Sequence, residues 1–274
     1  MPSSPVLTEA RFGTQMSQDA TGMQVAAAGR TMTVGGTLTA LGVLFSLILV
    51  AGWFGWTQVV QTTQIVVDAA GNDVLDAAGN QTFQNSTTFP SWLIVAFLVG
   101  LGVGLVTTFK PKVARFTAPI YALVFGTVLG AISAVYNQSY NGIVVQAIGA
   151  TLGVFLVMFV LYATRIVKVT PKFALMVICA TGGIAVMYLV TMIASIFGAE
   201  ISFWNDPTPL GIGISVVIVI VASLNLALDF NFIEKASQQG APKYMEWYGA
   251  FGVTVTIVWL YLEILRLLSL LRQS

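Results

Sequence analysis

Between Arg115 and Arg165 the chain runs 49 residues, 116–164, without an Asp, Glu, Lys or Arg. A soluble domain carries a charge at about every fourth residue and has no use for such a run. A membrane span needs about 20 apolar residues. The run is therefore too long for one span and right for two, and the polar string Tyr136-Asn137-Gln138-Ser139-Tyr140-Asn141-Gly142 marks a tight turn between them. The whole 274-residue chain has the same character, with 57% hydrophobic and 8% charged residues and a mean hydropathy of +0.86. Helices are the expected element, because in lipid each backbone polar group must be satisfied within its own segment.

Applied along the chain, the same rule predicts seven spans: residues 36–56, 91–109, 118–135, 143–163, 173–197, one beginning near Pro209 and one following Pro242. Trp53 and Trp56 stand at the end of the first as interfacial aromatics, and Pro111 ends the second. The expected fold is an all-α membrane protein, a seven-transmembrane-helix bundle over residues 34–273. Residues 1–33 form a polar cytoplasmic tail without the basic-then-apolar layout of a cleaved signal peptide. Residues 57–90 form an outer loop with a small hairpin, signalled by the near-repeat Asp68-Ala69-Ala70-Gly71-Asn72 and Asp76-Ala77-Ala78-Gly79-Asn80. Those aspartates lack the alternating oxygen ligands and closing glutamate of a calcium loop.

Charge sets the direction. Arg11, Arg30, Lys110, Lys112, Arg115, Arg165, Lys168, Lys172, Lys235 and Lys243 all fall in the tail and the second, fourth and sixth loops, and the other three loops hold no Lys or Arg. By the positive-inside rule the N-terminus is cytoplasmic and the C-terminus outside. Arg266 and Arg272, at the far end of the last span, are expected to snorkel to the interface.

Several chemistries are excluded by composition. There is no histidine, which removes histidine-ligated haem, most zinc sites and histidine acid–base catalysis. The lone Cys179 forms no intramolecular disulfide or cysteine metal motif. Gly100/Gly104, Gly126/Gly130 and Gly149/Gly153 have the spacing of close helix contacts, and since none follows a strand they do not indicate a nucleotide site. A retinal Schiff base needs a lysine within the last span, which has none after Lys243 at its entrance. No Ser/Lys, Asp/Asp or metal constellation points to an enzyme, and neither a cofactor nor nucleic acid is implied.

Ionisable groups within spans cost about 2.5–3.5 kcal/mol to insert and are functional candidates by default. Asp229 lies late in span six, Glu246 one turn into span seven, and Glu263 17 residues later, about 25 Å along a helix and near the outer face. Asp229 and Glu246 flank one cytoplasmic loop and so form the expected pair; two close carboxylates would share a proton and respond to pH. Each also has a plain structural use: Asp229 as a helix-end polar group, Glu246 complementing a helix dipole, and Glu263 paired with Arg266 at i,i+3.

The string Leu228-Asp229-Phe230-Asn231-Phe232-Ile233 and the final Trp259-Leu260-Tyr261-Leu262-Glu263-Ile264-Leu265-Arg266-Leu267-Leu268 resemble the Bax inhibitor-1/YccA family, as do Ala118-Pro119-Ile120-Tyr121-Ala122-Leu123 and Leu129-Gly130-Ala131-Ile132-Ser133-Ala134. The likeness covers residues 32–271. It implies a pH-sensitive calcium or cation leak channel with an acidic pair from the last two helices and a basic latch near the second. Asp229 is the implied first acid; the second is Glu263 by the string and Glu246 by depth, and Lys110, Lys112 and Arg115 are the latch candidates. Phe125 stands where relatives often carry Glu in the third span. The resemblance implies Ca²⁺ as permeant ion in a multi-pass protein of the bacterial plasma membrane. The alternative is a non-conducting modulator that binds a membrane-protease or stress-response partner.

Overall fold

The computed structural model describes residues 31–65, 81, 83–88, 90–198, 204 and 206–274. It contains seven helices long and apolar enough to cross a membrane. They are α1 (Val34–Thr57), α2 (Trp92–Phe109), α3 (Ala114–Ser139), α4 (Ile143–Ala163), α5 (Pro171–Ile196), α6 (Pro209–Gln238) and α7 (Met245–Gln273). Strands β1 (Val60–Ile65) and β2 (Phe83–Thr88) pair antiparallel in the first connection, from Val60 opposite Thr88 to Ile65 opposite Phe83. The Asp68 and Asp76 repeat lies outside the described residues.

Local chemistry sets the helix starts. Thr33, Thr170 and Thr208 are extended N-caps whose hydroxyls accept from the backbone N–H three residues on, at Gly36, Phe173 and Gly211. Pro171 and Pro209 then occupy first-turn positions where no donor is lost. The α3–α4 turn closes at Gly142, whose φ of 77° suits glycine and whose N–H donates to Asn137 Oδ1 at 3.1 Å.

Helix α7 is the axis of the bundle, packing against α1, α3, α4 and α6, whereas α5 leans mainly on α6 and is otherwise exposed to the lipid side. Because lipid is as apolar as leucine, the helices are held by close packing and polar ties rather than by hydrophobic burial alone. The closest seam joins α1 to α3. A Cβ on Gly126 would come within 2.9 Å of the Ile48 backbone, one on Gly130 would overlap Gly52 and one on Gly55 would overlap Thr127. Gly100 abuts the Phe125 ring and Gly104 faces Tyr121. A Cβ on Gly149 or Gly153, by contrast, would meet nothing within 4 Å among the described residues, so this pair makes no close helix contact there.

Candidate functional site

Polar side chains rise along α7 in tiers that tie it to α1, α6, α3 and α5. At the first tier Glu246, almost wholly buried, accepts from the Thr33 backbone N–H at 3.0 Å and the Thr33 hydroxyl at 2.9 Å, both on Oε1. The carboxylate thus sits on the positive N-terminal end of α1, against Gly36, where any Cβ would collide with it. Residues 31–33 are fastened beside it: Met32 N–H donates to Ala241 O at 2.7 Å, and Thr31 forms a bridge with Pro242.

The second tier carries Asp229. Its Oδ2 accepts from Thr256 Oγ1 at 2.6 Å, and Oδ1 lies 3.5 Å from where a Gly252 Cβ would stand. Asp229 therefore meets α7 six to ten residues beyond Glu246, about 9–15 Å along the helix. The expected pairing of Asp229 with Glu246 is not formed. Helix α6 runs on to Gln238, about 14 Å past Asp229, whereas Glu246 is the second residue of α7. Flanking the same loop did not place the two acids at one depth. Glu263 does not join Asp229 either.

At the upper tiers Ser133 and Tyr261 share a buried hydrogen bond of 2.7 Å between α3 and α7. Glu263 pairs with Arg266 at 2.8 Å and accepts from Tyr188 and, at 3.2 Å, from Trp259 Nε1. Arg266 donates to Ser215 at 3.2 Å and lies 4.6 Å from the Trp204 ring centroid. It is buried rather than snorkelling, because the ion pair and the aromatic faces hold it inside. Arg272 remains exposed and bonds Asn141 O and Gln146 Oε1 at the α3–α4 turn.

The basic candidates stand apart from the acids. Lys110, Lys112 and Arg115 surround the 3₁₀ turn Pro111–Val113, and among the described residues no ion pair joins them to Asp229, Glu246 or Glu263. An ion pair at the basic end links Arg165 to Glu234, which also accepts from Tyr162 and ties α4 to α6. Hydrogen bonding to Glu234 pushes the Arg165 guanidinium further up from its ordinary value, so it stays charged. Because Arg165 is open to solvent, this pair is screened and ties the two helices only weakly.

Asp229 lines a cavity of about 700 Å³ between α2, α3, α6 and α7. Among the described residues it supplies the one charged lining group. Thr108, Tyr121, Tyr248 and Thr256 are polar residues of the same lining, and Phe125 occupies the wall where the resemblance led to a Glu, stacked on Tyr121 at 4.8 Å. Among the described residues, no group of three or more His, Cys, Asp or Glu side chains is placed to hold a metal ion. Thr256, the actual partner of Asp229, carries no sequence signal, since a threonine in a membrane helix can bond its own preceding turn and here also reaches Gly252 O at 3.2 Å.

The family described as Bax inhibitor 1 like matches residues 4–273, essentially the whole chain. No curated protein matches it.

Proposed function

We propose, from the premise that this chain belongs to the Bax inhibitor 1 like family, that it is a pH-dependent cation leak of the plasma membrane, chiefly for Ca²⁺, controlled by Asp229. The observation that carries this is a lone carboxylate on the wall of a cavity within the helical bundle, held by one hydroxyl. When ionised, Asp229 draws cations into a low-dielectric space, and when protonated it loses that attraction. A single carboxylate binds a cation too weakly to trap it, as conduction requires.

The neighbours leave Asp229 as the switching group. Around it α3 contributes Tyr121, α7 Tyr248 and Thr256, and α2 Thr108. From the α5 side Thr181 is engaged by Asn225 at 2.7 Å, and the carboxylates of Glu234 and Glu246 are engaged by Arg165 and Thr33. Control by one carboxylate and a threonine replaces the two-acid latch, and no catalytic cycle is proposed.

The test is Ca²⁺ entry into proteoliposomes across pH 5 to 8. Wild-type flux should rise with pH, and Asp229→Asn should give flux that no longer varies. An identical pH response in both proteins would remove Asp229 from control. No flux at any pH would favour the non-conducting, partner-binding alternative.

A further inference from the structure

We infer that the Asp229 cavity is also a binding site for a lipophilic monovalent cation, a bulky quaternary onium or protonated amine that enters from the lipid side. It shares its cavity with the proposed leak, and the two are separable because binding is measured without flux.

Three observations converge on this class of ligand. The volume, about 700 Å³, lies within the roughly 300–1,000 Å³ of small-molecule sites. The described lining pairs one negative charge with aromatic side chains from α3, α6 and α7, among them Tyr121, Phe232, Tyr248 and Trp259, and includes no Lys or Arg. An aromatic enclosure with one carboxylate complements an organic monocation, through ring quadrupoles and a single opposite charge. A resting Ca²⁺ would require six to eight oxygen ligands, which this wall does not gather. The mouth also has the right surroundings: Leu101 and Leu105 of α2 and Val255 of α7 line the cavity yet are 42%, 55% and 37% exposed, so it opens on the lipid-facing surface. A ligand reaching it from the bilayer must itself partition into lipid. Another large apolar cavity, about 490 Å³ between α1, α4 and α6, has Arg165 and Glu234 already paired at its edge and so offers no free charge to a cation.

The experiment is equilibrium dialysis of the full-length protein in detergent with tetraphenylphosphonium, and with tetraphenylborate as the anion of the same shape. Saturable binding of the cation and none of the anion is expected. Asp229→Asn should weaken the cation about tenfold or more, and Trp259→Leu by a few-fold to about thirtyfold. Leu105→Trp leaves Asp229 intact and fills the mouth, so it too should weaken binding about tenfold or more; this variant guards against misfolding at Asp229. Equal uptake of cation and anion, or wild-type binding by either Asp229→Asn or Leu105→Trp, would overturn the inference. Saturable cation binding without Ca²⁺ flux would sink the leak and keep this site; flux without cation binding would do the reverse.

Discussion

Replacing Glu246 by Ala should free the N-terminal end of α1. The substitution removes two hydrogen bonds to one carboxylate oxygen, at 3.0 and 2.9 Å, and leaves the Thr33 N–H without its acceptor. Hydrogen bonds to charged groups contribute about 1.5–3 kcal/mol, and an anion at a helix N-terminus about 0.3–2 kcal/mol. The desolvation of a nearly buried carboxylate offsets part of this, so the net cost of opening residues 31–37 should fall by about 2–4 kcal/mol. Hydrogen exchange over that segment in detergent should accelerate roughly 30- to 700-fold, at about 1.4 kcal/mol per decade. Gly36→Ala provides the cross-check. Alanine favours a helix by about 1 kcal/mol over glycine, yet here its Cβ would overlap the Glu246 carboxylate. Gly36→Ala should therefore speed exchange in the wild-type background and become neutral or protective in Glu246→Ala, a non-additivity expected of groups in contact. Unchanged exchange in Glu246→Ala, or equal harm from Gly36→Ala in both backgrounds, would refute the clasp.

Gly130→Ala should lower stability in micelles by at least about 1–3 kcal/mol through overpacking against Gly52, whereas Gly149→Ala, with open space around it, should change it by no more than about 1 kcal/mol. Arg266→Met should cost about 3–5 kcal/mol by leaving Glu263 as an unpaired buried charge, and adding Glu263→Gln should recover much of the loss in a thermal-melt comparison. Reporters fused at Gln81 and at Gln238 should report opposite sides of the membrane, with Gln238 cytoplasmic; the same side for both would end the seven-span topology.

The spans themselves were legible in the residues because insertion into lipid is decided segment by segment. A window of apolar side chains carries its own transfer free energy, and it needs no knowledge of its neighbours to be helical. Hence residues 143–163 are read from sequence with the bounds of α4 and the sixth span is read as beginning near Pro209, where α6 starts, whereas α5 begins at Pro171, two residues before the expected 173. The i,i+3 pair of Glu263 and Arg266 was legible for the same reason: both partners lie on one helix, whose geometry is fixed in advance.

What lies between helices was decided only by tertiary structure. The depth at which Asp229 meets α7 depends on how far α6 continues past it, and its nine further residues carry Glu246 a turn or more out of reach. The Gly52 and Gly55 contacts with α3, and the idleness of Gly149, follow from which face α1 and α4 present, a rotation about the helix axis that evenly apolar helices leave unmarked. Thr256 became the partner of Asp229 because packing α6 on α7 brought that hydroxyl opposite it. The sequence by itself determined that seven helices would lie in lipid and which of them carry buried charges. Their registry, and with it the identity of every interhelical partner, was set by packing, since in an apolar solvent shape and polar pairing are what distinguish one alignment from another.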